Sequence, residues 1–113
     1  MAMVSCMIRP ESLEQVKNAL SQLEAVGGIT LTDVRGFGRQ KGQVEHYRGG
    51  EYTLRFLPKV KVDVVVRKKD VDAILSAIGQ AAKTGQVGDG KAVVVDVLNA
   101  IRIRTGERGT IAL

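Results

Sequence analysis

Residues Lys59–Val66 read KVKVDVVV, and their pattern decides the fold. Val60, Val62, Val64 and Val66 alternate with Lys59, Lys61, Asp63 and Val65. Side chains of an extended chain point to opposite faces in turn, so this period of two sets one strand face against a core. Beyond it, Asp70 is a candidate N-cap, and Val71, Ile74, Leu75 and Ile78 form the apolar stripe of a helix. That helix fades through Ala81-Ala82 into a glycine-rich turn, Thr84–Lys91, and Ala92–Val97 reads as another strand. Upstream, Met3–Ile8 is a β-rich apolar run closed by Arg9-Pro10. Ser12-Leu13-Glu14-Gln15 fits a capping box, in which the Ser hydroxyl accepts from an amide and Gln15 reaches back. Leu13, Val16, Leu20 and Leu23 then carry a helix to about Ala25, Gly27-Gly28 stops it, and Ile29–Arg35 is a strand with Thr30 and Thr32 on one face.

The resulting order is β-α-β, long loop, β-α-β. This is the split βαβ pattern of an α+β, ferredoxin-like sandwich: a four-stranded antiparallel sheet with two helices on one face. At 113 residues the chain has room for one domain, 1–113, with a long loop at about 37–55, a glycine-rich loop at about 83–91 and a C-terminal loop at about 102–113. Two helices cover only one sheet face. The other would expose strand residues such as the valines near 60–66 or 93–97, so an oligomer is expected.

Composition narrows the classes. Apolar residues make up 44% of the chain, yet no run approaches the ~20 residues of a membrane span. Cys6 stands alone, which excludes an intrachain disulfide and a cysteine-based zinc site; among apolar neighbours it reads as a buried, inert thiol. MAMVSCMIRP lacks the charged and apolar regions of a signal peptide, so a cytoplasmic protein is expected. A net charge of +5 leaves open nucleic acid, an anionic surface or phosphorylated small molecules as partners.

Function is sought first in Gly36–Lys59, GFGRQKGQVEHYRGGEYTLRFLPK, which holds five glycines, both tyrosines and the single histidine. Loops longer than about 12–15 residues in a small domain are usually functional or disordered. The next candidate is Gly85–Lys91, which formally fits G-x-x-x-x-G-K. It lies between a helix and a strand rather than a strand and a helix, and Ala92 stands where Ser or Thr would hold Mg²⁺, so it fails as a Walker motif. Its glycines could still present backbone N–H groups to an anion beside Lys91; a plain helix stop and tight turn is the other reading. Arg102 and Arg104, two apart in the alternating segment Ile101–Arg104, are expected on one strand face as a polyphosphate clamp, with Ile101 and Ile103 turned to the core; ordinary surface arginines are the alternative. The tail Thr105–Leu113 is expected to be mobile until a ligand or neighbour orders it. No catalytic constellation appears, because His46 has no Ser or Cys placed to use it and no cluster has metal-ligand spacing.

Taken together, these blocks resemble the PII signal-transduction family over essentially the whole chain. The match is carried by Gly36–Gly42, Tyr47-Arg48-Gly49-Gly50-Glu51-Tyr52, Phe56-Leu57-Pro58-Lys59, Thr84-Gly85, Gly88–Lys91 and Ile101–Glu107. The resemblance implies a homotrimer of ferredoxin-like subunits, of the ammonium-channel-regulator type, with ATP and ADP competing for clefts between neighbours. It implies nucleotide contacts at Ile8, Thr30, Gly36, Phe37, Gly38, Arg39, Val65, Gly88, Asp89, Gly90, Lys91, Arg102 and Arg104. 2-Oxoglutarate would join Mg-ATP at Arg39, Gln40, Lys41, Gly42, Lys59 and Gly88, with Gln40 helping to hold Mg²⁺ and Lys59 pairing with a carboxylate. The long loop would be the T-loop that reports ligand state to targets through Tyr47, Arg48 and Tyr52. An arginine at the position of Arg48 plugs an ammonium channel in some members, and a tyrosine at that of Tyr52 is uridylylated or adenylylated by a nucleotidylyltransferase in many bacteria. A channel target would recruit the protein to the inner face of the membrane.

The chain departs from the family pattern at Val44, Gly50 and Arg55, which changes the target-facing surface, and at Ala92-Val93, which changes packing. Two other classes compete with this reading. A basic ferredoxin-like module could bind nucleic acid, but no aromatic is placed inside a strand to stack bases. An ATP-hydrolysing enzyme would need a base that the sequence does not supply.

Overall fold

The computed structural model describes residues 1–37, 45–47, 51–53 and 56–113, with the backbone alone described for 45–47 and 51–53. Strands β1 (Ala2–Ile8), β2 (Thr30–Gly36), β5 (Leu57–Val66) and β6 (Gly90–Asp96) form one antiparallel sheet in the order β2-β5-β1-β6. Helices α1 (Leu13–Ser21) and α2 (Val71–Ala82) supply the connections. A two-stranded ladder, β3 (Glu45–Tyr47) with β4 (Glu51–Thr53), lies within the long loop, pairing His46 with Tyr52 and Tyr47 with Glu51. The architecture is the expected ferredoxin-like α+β sandwich.

Register follows from the valine alternation. Val60, Val62 and Val64 stand opposite Ile8, Cys6 and Val4 on β1, and all six side chains are buried. They meet Val16 and Leu20 of α1 and Ile74, Ile78 and Ala82 of α2 in one cluster. Truncating Ile8, Leu20, Ile74 or Ile78 to alanine typically costs about 2–5 kcal/mol. Cys6 sits inside this cluster as a free thiol, and burial pushes its pKa up to about 11.

Of the valines expected on the uncovered face, Val65, Val93 and Val95 lie there. The valines at 60, 62, 64 and 66 are buried under the helices. The residues of the opposite face are Met3, Ser5 and Met7 of β1, Lys59, Lys61, Asp63 and Val65 of β5, Thr30, Thr32 and Val34 of β2, and Lys91, Val93 and Val95 of β6. It is mixed in character, and its most exposed apolar residues are Val93 and Val95 of the edge strand β6.

Neither expected helix cap forms. Ser12 and Asp70 both have helical backbone angles and make no side-chain cap bond. The chain instead enters each helix through a 3₁₀ turn, Pro10–Ser12 or Lys68–Asp70, closed by Ser12 N–H to Arg9 O at 3.0 Å and Asp70 N–H to Arg67 O at 2.9 Å. Helix α1 also stops at Ser21, short of Ala25, before Gly27-Gly28 is reached.

Candidate functional site

Four sheet termini converge at one end of the molecule. Strand β1 ends at Ile8 opposite Val60 and Gly90, and β2 ends at Gly36 opposite Leu57. Ile8, Gly36, Phe37, Lys59 and Gly88–Lys91 are thereby brought together, although they span most of the chain. Gly36 and Lys59 fit closely, since a Cβ at Gly36 would lie 3.1 Å from Lys59 Cγ. One step outside the sheet, the Phe37 and Phe56 rings pack with centroids 5.6 Å apart at the foot of the long loop.

The glycine-rich loop is organised around Asp89. Its carboxylate accepts from Thr84 N–H at 2.7 Å, Gly85 N–H at 2.9 Å and the Thr84 hydroxyl. Gln86 N–H donates to Thr84 Oγ1 at 3.2 Å. These bonds hold the Asp89 carboxyl well below the usual carboxylate range, the Thr84 hydroxyl contributing most. They also consume the amides of Thr84, Gly85 and Gln86, the first of the loop. Gly85, Gly88 and Gly90 take φ of 88°, 104° and 102°, backbone that side-chain-bearing residues rarely adopt. Gly90 is the most constrained, because a Cβ there would stand 1.8 Å from Met7 O.

Two cations dock this loop onto the sheet. Lys59 Nζ donates to Gly88 O at 2.9 Å. Arg9 Nη2 donates to Val87 O at 2.7 Å, and its Nε to Asp89 Oδ1 at 3.3 Å. The pKa of Lys59 is lowered, first by burial and then by the charge of Arg9, while Glu11 and Asp89 oppose both. An ammonium so placed gains from an arriving anion. In the sequence Arg9 reads only as the stop of a strand, since nothing local links position 9 to position 89. Among the described residues no group of three acidic, His or Cys side chains could hold a metal.

The remaining expected nucleotide contacts lie elsewhere. Thr30 opens β2 opposite Asp63, and Val65 pairs with Met3 near the other end of the sheet. Lys59 and Val65 are separated by about 20 Å of extended strand. Arg102 and Arg104 follow Val97, whose N–H donates to Met1 O at that same far end. Contrary to expectation, the two arginines do not share a strand face. Residues 103–105 form a turn, with Thr105 and Gly106 N–H both donating to Arg102 O. Ile101 and Ile103 do not enter the core; Ile103 is 94% exposed. The tail is also folded, with a 3₁₀ turn at Gly109–Ala112 held by Arg102.

Gly38, Arg39, Gln40, Lys41, Gly42 and Arg48 lie outside the described residues, and Tyr47 and Tyr52 are described in backbone only. Val44, Gly50 and Arg55 fall outside them too. Among the described residues no strand of the main sheet carries an aromatic side chain, which leaves nothing there for base stacking.

A sequence model described as "Nitrogen regulatory protein P-II" matches residues 1–107. The chain belongs to the P-II family. It is similar over its full length to the nitrogen regulatory protein GlnK of Escherichia coli K12, with 48% identity across 113 residues and 100% of both chains covered. The nitrogen regulatory proteins P-II of Rhizobium meliloti and Nostoc punctiforme are 50% and 51% identical, again with 100% of each chain covered. This P-II protein therefore groups with nitrogen regulatory proteins. None of its described helices is long and apolar enough to cross a membrane.

Proposed function

We propose that this P-II protein senses ATP or ADP together with 2-oxoglutarate and regulates nitrogen-metabolism targets, an ammonium channel first among them, through its 37–55 loop. One observation carries the reading. The residues matched to nucleotide contact fall into two groups at opposite ends of one sheet, too far apart to grip the same phosphate chain. A cyclic homotrimer would bring the Ile8, Gly36, Gly88–Lys91 end of one copy to the Thr30, Val65, Arg102, Arg104 end of the next, completing a site in each cleft.

The chemistry present suits that ligand. Positive-φ glycines allow close backbone approach to phosphate, Lys91 and the two arginines add charge, and Lys59 offers an under-solvated ammonium to a carboxylate. Gln40 would help to hold Mg²⁺, which would neutralise phosphate charge and so favour binding of 2-oxoglutarate. Arg39, Lys41 and Gly42 would complete that site beside Lys59 and Gly88. Both ends of the long loop leave this region, at Phe37 and Phe56, so a ligand seated there biases how the loop departs from the sheet. Tyr47, Arg48 and Tyr52 would meet the target, and Tyr52 is the candidate for nucleotidylylation. With such a partner the protein would work in the cytoplasm and move to the membrane only when a channel captures it. Calorimetric titration with 2-oxoglutarate tests the reading: heat is expected with Mg-ATP present and none without it. Equal binding in the absence of nucleotide would overturn it.

A further inference from the structure

Arg102 is engaged by its own C-terminal segment. Its Nη1 donates to Glu107 Oε1 at 3.0 Å, and its Nη2 donates both to Ile111 O at 3.1 Å and to Leu113 O at 2.9 Å. The backbone reinforces the arrangement: Arg102 N–H donates to Glu107 O at 2.8 Å, and Ile101 bridges Arg108. Gly106 and Gly109 make the reversal with φ of 77° and 72°.

Guanidinium offers five N–H donors in a planar fork. A phosphate gripped bidentately uses either the Nη1–Nη2 edge or the Nε–Nη2 edge, and both draw on Nη2. Both Nη2 hydrogens are already committed to the carbonyls of the tail. Arg102 therefore cannot clamp an anion and hold residues 111 and 113 at the same time.

We propose that Glu107 is a positioning residue that, with the carbonyls of Ile111 and Leu113, competes with anionic ligand for Arg102, so that phosphate binding releases the C-terminal 3₁₀ turn. The tail is then a second ligand-dependent output, at the end of the sheet away from Gly36 and Leu57. Release would also open the groove of about 400 Å³ that Thr110 and Leu113 wall on one side and Arg67, Lys69 and Gly27 on others. The proposal rests on the nucleotide reading only in taking Arg102 as a phosphate ligand.

The sign of the effect separates competition from mere scaffolding. An exposed pair of this kind is worth about 0.2–1 kcal/mol, so Glu107→Gln is expected to raise ATP affinity about 1.4- to fivefold, and Glu107→Asp to restore the wild-type value. A purely structural Glu107 would leave affinity unchanged or lower it on substitution. In the full-length wild-type protein, saturating ATP is expected to speed amide exchange at Gly109 and Leu113. ATP binding with unchanged or slower exchange there, or with Glu107→Gln affinity no higher, overturns the competition alone. Failure of the wild-type chain to bind ATP overturns the nucleotide reading and this proposal with it.

Discussion

Lys59 Nζ donates a hydrogen bond to the main-chain oxygen of Gly88 at 2.9 Å, tying the strand that follows the long loop to the glycine-rich turn. The expected 2-oxoglutarate contact and the expected nucleotide loop thus share an atom-level link. Lys59→Ala is expected to abolish 2-oxoglutarate binding in the presence of Mg-ATP and to leave ADP binding largely intact. Gln40→Ala should behave in the same way. Because the lysine pKa is lowered, its charge is lost at a lower pH than that of an ordinary lysine. Affinity for 2-oxoglutarate should therefore decline earlier on the alkaline side than a surface lysine would dictate. Calorimetry across pH checks both statements, and an unaltered 2-oxoglutarate isotherm for Lys59→Ala would reject the assignment.

How much of this was legible depended on the range of the interaction. The alternation over 59–66 announced its strand because burial on one face acts on every second residue. The helix entries were not legible. Ser12 and Asp70 look like caps, but closure back to Arg9 and Arg67 places them inside a 3₁₀ turn. Ile101–Arg104 misled for a related reason, since four alternating residues suit a strand and a turn equally. What selects the turn is Glu107, whose oxygens take both the backbone and the side chain of Arg102. Of the site, the glycines and Lys59 were readable, whereas Arg9 became visible only when the register set it against Val87 and Asp89.

Gly90→Ala tests the seam between β1 and the glycine-rich loop. The new Cβ would meet Met7 O at 1.8 Å on a backbone with φ of 102°, and neither atom belongs to a side chain that can swing away. Strain and displaced strand pairing together should cost about 3 kcal/mol or more. Thermal unfolding should show a fall of roughly 10 °C or more. A near-native melting point would mean that β6 can shift its register at Ile8.

Asp89→Asn should loosen the loop without unfolding the domain. The carboxylate accepts donors on both oxygens, whereas an amide would turn an NH₂ group toward donors already there. Amides of Thr84 and Gly85 are expected to exchange faster in the variant. The sign with pH follows from the depressed carboxyl pKa. Its contribution is complete above the unfolded value near 3.9 and disappears only as pH falls through the lower, folded value. Wild-type protection of these two amides should therefore be flat from neutral pH to about pH 4. An early loss near pH 5 would contradict it.

Cys6 is the counter-case, a titratable group sealed inside the core. Raising its pKa from 9.0 to about 11 lowers the thiolate fraction at pH 8 about a hundredfold before access is considered. Alkylation of the native protein should be at least that much slower than in denaturant, followed by mass spectrometry. Labelling at the denatured rate would place Cys6 outside the core.

Val95→Asp separates fold from assembly. Val95 lies on the uncovered face of the edge strand, 47% exposed and in register with Met3, so a carboxylate there stays solvated in a single copy. Circular dichroism should remain native. In a trimer the same charge would be buried between copies without a partner, which costs several kcal/mol per site and favours monomers. Sedimentation is expected to show that dissociation. Because the two groups of expected nucleotide contacts lie at opposite ends of each sheet, the monomer would keep only half of every proposed site, and ATP affinity should fall by at least about tenfold, since a lost charged contact costs roughly 1.5–3 kcal/mol. A monomeric variant that binds ATP as the parent does would show that one copy suffices, and the cleft between copies would no longer be needed to explain where Arg102 and Arg104 act.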